Sequence, residues 1–153
     1  GVMAAAAITR LGFGKTDVVQ MLNGCIGGLV AITAEPLMPS PLAAILIGGV
    51  GGVIVVFGTK LLFSLKIDDV VGAIPAHLFA GIWGTLAVPI TNPDTAFGTQ
   101  LIGVISINVF VFATALIVWS IMKATIGIRL SKEGETKGTD VTETGVIAYA
   151  IRD

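Results

Sequence analysis

IDDVVGAIPAHLFAGIWGTLAVP, residues 67–89, decides how this chain is read, because it sets the only histidine, His77, inside what is otherwise a membrane span. Residues 70–92 contain no Asp, Glu, Lys or Arg, a run that exceeds the roughly 20 apolar residues needed to cross a bilayer. His77 therefore falls near mid-membrane. A charged side chain at that depth costs about 2.5–3.5 kcal/mol or more, so an intramembrane histidine faces a protein interior or a conduction path rather than lipid.

The rest of the chain has the same character. Of 153 residues, 54% are hydrophobic and only 12% charged, and the mean hydropathy is +0.95, a composition that excludes a soluble globular domain. The expected fold is all-α, a polytopic transmembrane helical bundle. A net charge of -1 gives no basis for nucleic-acid binding. The single cysteine, Cys25, rules out an internal disulfide framework and reads as a small packing residue. The membrane portion offers neither a His/Cys/carboxylate metal cluster nor a nucleophile-base-acid set, which speaks against an enzyme and implies no cofactor.

Around residues 67–89 the chain divides into further apolar runs. Residues 1–9 meet Arg10 after fewer than half the residues of a span and read as the end of a longer helix, so the chain is expected to be the C-terminal part of a longer protein. RLGFGKTD, residues 10–17, is a polar loop. Residues 18–34 form a span in which Gly24 and Gly28 make a small-xxx-small pair suited to close helix packing. EPLMPSP follows, and its prolines cannot remain helical. The span at 42–63 carries GGVGG at its centre, read as a packing surface, and Lys60 near its end, placed to snorkel. The remaining spans are about 70–90 and 99–122. The membrane region thus covers residues 1–125, and 126–153 leave the membrane as a polar tail of modest order.

Charge placement orients these spans. The loops at 10–17 and 60–69 and the chain after residue 122 hold all nine Lys and Arg, whereas the opposite loops carry only Glu35 and Asp94. By the positive-inside rule the tail is cytoplasmic. Asp68 and Asp69 read as caps of the His77 helix, Glu35 as a solvated loop acid, and Trp83 and Trp119 as packing or interfacial residues. Within the His77 helix, Ala73, His77, Gly81 and Thr85 recur every four residues as a small-residue row that leaves space around the imidazole. Gly72, Ala76, Ala80 and Gly84 form an adjacent row suited to helix contact.

LNGCIGGLVAITA at 22–34, PLAAILIGGVGG at 41–52, IDDVVGAIPAHLFAGIWGTLAV at 67–88 and KGTDVTETGVIAY at 137–149 together resemble the ammonium transporter (Amt/Mep/Rh) family, in its Amt branch. The resemblance implies the C-terminal part of an eleven-helix, inverted-repeat membrane fold. It also implies a homotrimer with a pore in each subunit, located in the plasma membrane. His77 falls at the second of the family's paired pore histidines, with Ala73 and Gly81 beside it in the transport path. A tail of this kind is expected to meet a neighbouring subunit and a PII-type signalling protein. Two departures are Gly72, where the family often has a third aspartate, and Thr144, where it commonly has histidine.

The mechanism this implies follows from one property of the substrate. Ammonium matches potassium in size and charge, but only ammonium can release a proton and continue as a neutral molecule. A dry lumen with a neutral imidazole, one nitrogen donating and one accepting, exploits that difference. The alternatives are an ammonium-sensing receptor on the same fold and a neutral ammonia gas channel. The bland reading of His77 is an interhelical hydrogen bond.

Overall fold

The computed structural model describes residues 1–148, and every regular element among them is helical. Tyr149, the last residue of the tail motif, and the tail beyond it lie outside the described residues. The helices are α1 (Val2–Phe13), α2 (Val18–Ile32), α3 (Pro41–Ser64), α4 (Ile74–Thr91), α5 (Phe97–Thr125), α6 (Lys132–Lys137) and α7 (Thr139–Thr144). Three of them, α3, α4 and α5, are long and apolar enough to cross a membrane. The chain divides into two units, Gly1–Asn108 and Val109–Asp153.

In the first unit, α1, α2, α3 and α4 pack together. α1 continues through Arg10 to Phe13, so the loop expected at 10–17 shrinks to residues 14–17. The helix ends because Gly14 adopts φ 77°, where a side chain would be strained, and the Arg10 guanidinium donates to its carbonyl at 2.8 Å. Asp17 then caps α2 by accepting from the Gln20 amide at 3.0 Å. The Lys60 ammonium lies 3.7 Å from the centroid of the Phe13 ring, tying the end of α3 to the end of α1.

α2 is shorter than the span expected at 18–34. Its 15 residues extend about 22 Å, and it stops where the Thr33 hydroxyl donates back to the Val30 carbonyl at 2.8 Å. Its glycines do what small-xxx-small spacing predicts. A Cβ on Gly24 would stand 2.6 Å from the Ala5 Cβ, and one on Gly28 would stand 3.1 Å from the Gly48 carbonyl oxygen. GGVGG remains helical within α3 and presents Gly48, Gly51 and Gly52 to the packed side, while Gly49 faces open space.

Among the described residues of the second unit, two short helices follow α5. Ser131 caps α6 by accepting from the Gly134 amide at 3.1 Å, and the Thr142 hydroxyl of α7 donates to the Gly134 carbonyl at 3.2 Å. Gly138, at φ 109°, turns the chain between them.

Candidate functional site

The segment that leads into α4 is held by hydrogen bonds of its own. Asp69 accepts from the amides of Ala73 at 2.9 Å and Ile74 at 2.8 Å, one on each carboxylate oxygen. This is the capping expected of the acidic pair, carried out by Asp69. Gly72 follows at φ 76°, and the buried Asn23 of α2 donates from Nδ2 to the Val71 carbonyl at 2.8 Å. Residues 70–73, expected to begin the span, are therefore a pinned turn, and α4 starts at Ile74.

The first part of α4, Ile74–Phe79, is a π-helix, and only from Ala80 onward is the helix α-helical. The Ala80 amide points to the carbonyls of both His77 and Pro75, the latter a five-residue step. His77 lies within this wider turn. Beyond it the Trp83 indole donates from Nε1 to the Ile47 carbonyl of α3 at 3.0 Å, a packing role as expected of that residue. The row formed by Gly72, Ala76, Ala80 and Gly84 is buried throughout. A Cβ on Gly84 would collide with the Ala31 carbonyl of α2. Gly58 of α3 leaves room for the Pro75 and Phe79 side chains.

His77 is exposed, and its ring makes no hydrogen bond to any of the described residues. With Gly81 and Thr85 it lines one wall of an open cleft of about 350 Å³, whose far wall is the first part of α5, including Gln100 and Asn108. The sequence-predicted neighbours of His77 thus divide. Gly81 stands beside it on the cleft. Ala73 does not line the cleft: the wider π-turn that follows it alters the rotation between it and His77, and its amide is held by Asp69. Thr85 lines the cleft while its hydroxyl donates to the Gly81 carbonyl at 3.0 Å, leaving an oxygen lone pair free. Gln100 also faces the cleft, a position that a lone amide in an apolar run does not reveal, since the same residue type serves equally to bond a neighbouring helix. Asn108 spends its amide on the Val104 carbonyl of its own helix at 2.8 Å, as expected of a polar residue in a span.

At the end of the bundle away from the cations, Asn92 donates to the Glu35 carboxylate at 2.9 Å, joining the turn after α2 to the turn after α4. Glu35 is a structural tie rather than a free loop acid.

An apolar bundle with several membrane-length helices and one histidine on a polar-edged cleft defines a polytopic membrane protein with an ionisable group in its membrane region. Comparison with known proteins makes this specific. The family model of the Ammonium Transporter Family matches residues 1–149, and the chain belongs to that family. It is 37% identical to ammonium transporter Amt2 of Archaeoglobus fulgidus over 97% of this chain and 36% of that protein. It is 41% identical to a putative ammonium transporter of Synechocystis over 86% of this chain and 30% of that protein. Against ammonium transporter Amt1 of Haloferax mediterranei the identity is 33%, over 97% of this chain and 30% of the relative. The chain spans about a third of the length of these curated relatives.

Proposed function

We propose that this chain supplies one wall of an ammonium-conducting pore, with His77 on the path. The observation that carries the reading is the position of the sole histidine: exposed on a cleft between apolar helices, beside Gly81, in a chain whose relatives are ammonium transporters. A lone imidazole in that setting has room for a small molecule on its open side, and Gly81 adds no side chain to block it.

Ammonium is recruited on the outer side, gives up its proton, and crosses as ammonia past a neutral His77. One ring nitrogen accepts a hydrogen bond from ammonia and the other donates, so ammonia exchanges one partner for the next without entering an unsatisfied state. The proton follows along the imidazole and a second histidine from the remainder of the complete protein. Potassium has no proton to give and meets the full cost of dehydration. Ala73 stands at the inner end of this path, where the turn of residues 70–73 opens toward the cations.

The complete protein is a homotrimer in the plasma membrane with a cytoplasmic C-terminus. The ordered pair α6 and α7 forms the surface that a neighbouring subunit and a PII-type regulator contact. The complete segregation of Lys and Arg supports this sidedness.

The test is ammonium or methylammonium uptake, with membrane current, in liposomes holding the complete parent protein as wild type and His77→Ala. Loss of flux, or of current and selectivity over potassium, with the protein still folded is the expected result. Unchanged rate, current and selectivity in His77→Ala would make His77 structural and end this mechanism. A wild type with no flux would favour the receptor.

A further inference from the structure

We propose that Asn23 is a positioning residue for His77: its amide clamps the turn at Val71 and Gly72 and so fixes the rotation of the π-helical turn that carries the imidazole. The inference rests on the reading of His77 as a pore residue. Asn23 and Thr9 are the buried polar side chains among the described residues. Thr9 donates to the Ala5 carbonyl of its own helix at 2.8 Å and accepts from the Asp17 amide at 3.3 Å, so its partners lie within eight residues along the chain. Asn23 instead reaches across to the Val71 carbonyl at 2.8 Å, 48 residues along the chain. Below it Gly72 sits at φ 76°, and a Cβ there would collide with the Asn23 amide. The Gly72 carbonyl then accepts from the Ala76 amide at 3.2 Å, so the clamped residue makes the first backbone bond into the helix, one residue before His77.

The reason for a clamp lies in the π-turn. Such turns have poorer hydrogen bonding than the α-helix and persist only when something prevents the extra residue from being absorbed. Here the π-turn is held on both sides. Its far side is fixed by the Trp83 indole on the Ile47 carbonyl and by Gly84 against Ala31. The near end is fixed by Asn23 on Val71 and by Asp69 on the Ala73 and Ile74 amides. Release of the near end lets the helix take up one residue and relax to α-helical register. Each residue of slip rotates a side chain by about 100°, which carries His77 off the face shared with Gly81 and Thr85.

Asn23→Asp keeps the shape of the side chain and, when ionised, replaces the amide donor by an acceptor. In the complete parent protein, reconstituted in liposomes, the expected result is a fall of about tenfold in maximal ammonium flux per folded molecule, or ~1.4 kcal/mol in the barrier, with KM within about twofold of wild type; a lowered melting temperature accompanies it, since a buried carboxylate would face a carbonyl. Gly72→Ala strains the same turn from its other side and is expected to give the same split, which keeps the inference testable if Asn23→Asp does not fold. Wild-type flux per folded molecule in either variant overturns it, as does a loss that only tracks the amount of folded protein. His77→Ala is run alongside. If that variant transports normally, the pore reading falls and takes this inference with it; if it is inactive while Asn23→Asp transports as wild type, this inference alone falls.

Discussion

Trp83 illustrates how a single polar atom is settled inside an apolar bundle. Its ring contributes packing area against α3, and its one N–H finds the Ile47 carbonyl at 3.0 Å. Because that carbonyl lies within helix α3, the bond is a supplement, and bonds of this kind inside membranes average about 0.6 kcal/mol. Trp83→Phe should therefore cost roughly 0.5–1.5 kcal/mol of stability, read as a modest drop in the denaturation midpoint of the complete protein. A loss several times larger would mean that the indole holds more than one carbonyl.

Asp140 in the tail makes the opposite case, a surface carboxylate. It accepts from the Ala148 amide at 2.8 Å, and this bond, with a further one from the Val141 amide, holds its carboxyl below the ordinary value of 3.8. A depressed pKa means the ionised form is the one the fold favours. Its contribution is present above the unfolded value and is lost as the pH falls through the lower, folded one. The Ala148 amide should accordingly keep the same protection from hydrogen exchange between pH 7 and 5 and lose it only in stronger acid. A change already visible at pH 6 would contradict the assignment. Both groups show what a sequence conveys at this scale: it gives the residue type and its need for a partner, but Ile47 and Ala148 become partners only through the fold.

Among the helices, the glycines of α3 show why composition alone is ambiguous. In water GGVGG would read as a loop; in α3 it is helical because three of its glycines abut other helices while Gly49 meets nothing within 4 Å. A Cβ on Gly51 would stand 2.5 Å from the Gly27 carbonyl oxygen and 3.0 Å from the Ala31 Cβ, and backbone cannot move aside as a flexible side chain can. Gly51→Ala should destabilise by about 1–3 kcal/mol, whereas Gly49→Ala should be neutral or stabilise by up to about 1 kcal/mol through helix propensity. Thermal melts of the two variants in the parent protein check the contrast, and equal effects would mean that α3 is rotated from the orientation described. The positions of the long helices were legible because apolar runs and proline turns report them directly. The rotation within α4 was not, since a four-residue period assumes an uninterrupted α-helix and the π-turn at Ile74–Phe79 breaks it between Ala73 and His77. Nor was the end of α1, where the charge of Arg10 suggested a loop although its guanidinium closes the helix on Gly14.

Taken as a whole, the molecule poses a question of sidedness that its shortest span makes acute. For Arg10 and Lys15 to share a side with Lys60 and Lys66, both α2 and α3 must cross, yet α2 extends about 22 Å against a hydrocarbon core of about 30 Å. A crossing by α2 leaves that deficit to local thinning of the bilayer and to the turn of residues 33–40, which the Thr33 hydroxyl on α2, Ser40 as the cap of α3 and Glu35 on Asn92 hold in place. Each cation retained on the inner face adds about 1 kcal/mol of attraction to an anionic leaflet, so Arg10 and Lys15 together offset about 2 kcal/mol of the mismatch. Single cysteines in a parent protein lacking its own, including Cys25, test this. Cysteine at Pro39 or Thr95 should react with a membrane-impermeant maleimide in intact cells, and cysteine at Lys15 or Lys66 only after permeabilisation. Labelling of Lys15→Cys from the same side as Pro39→Cys would show that α2 does not cross. The segregation of charge would then be a property of the loops alone, and the path past His77 would need a different outer face.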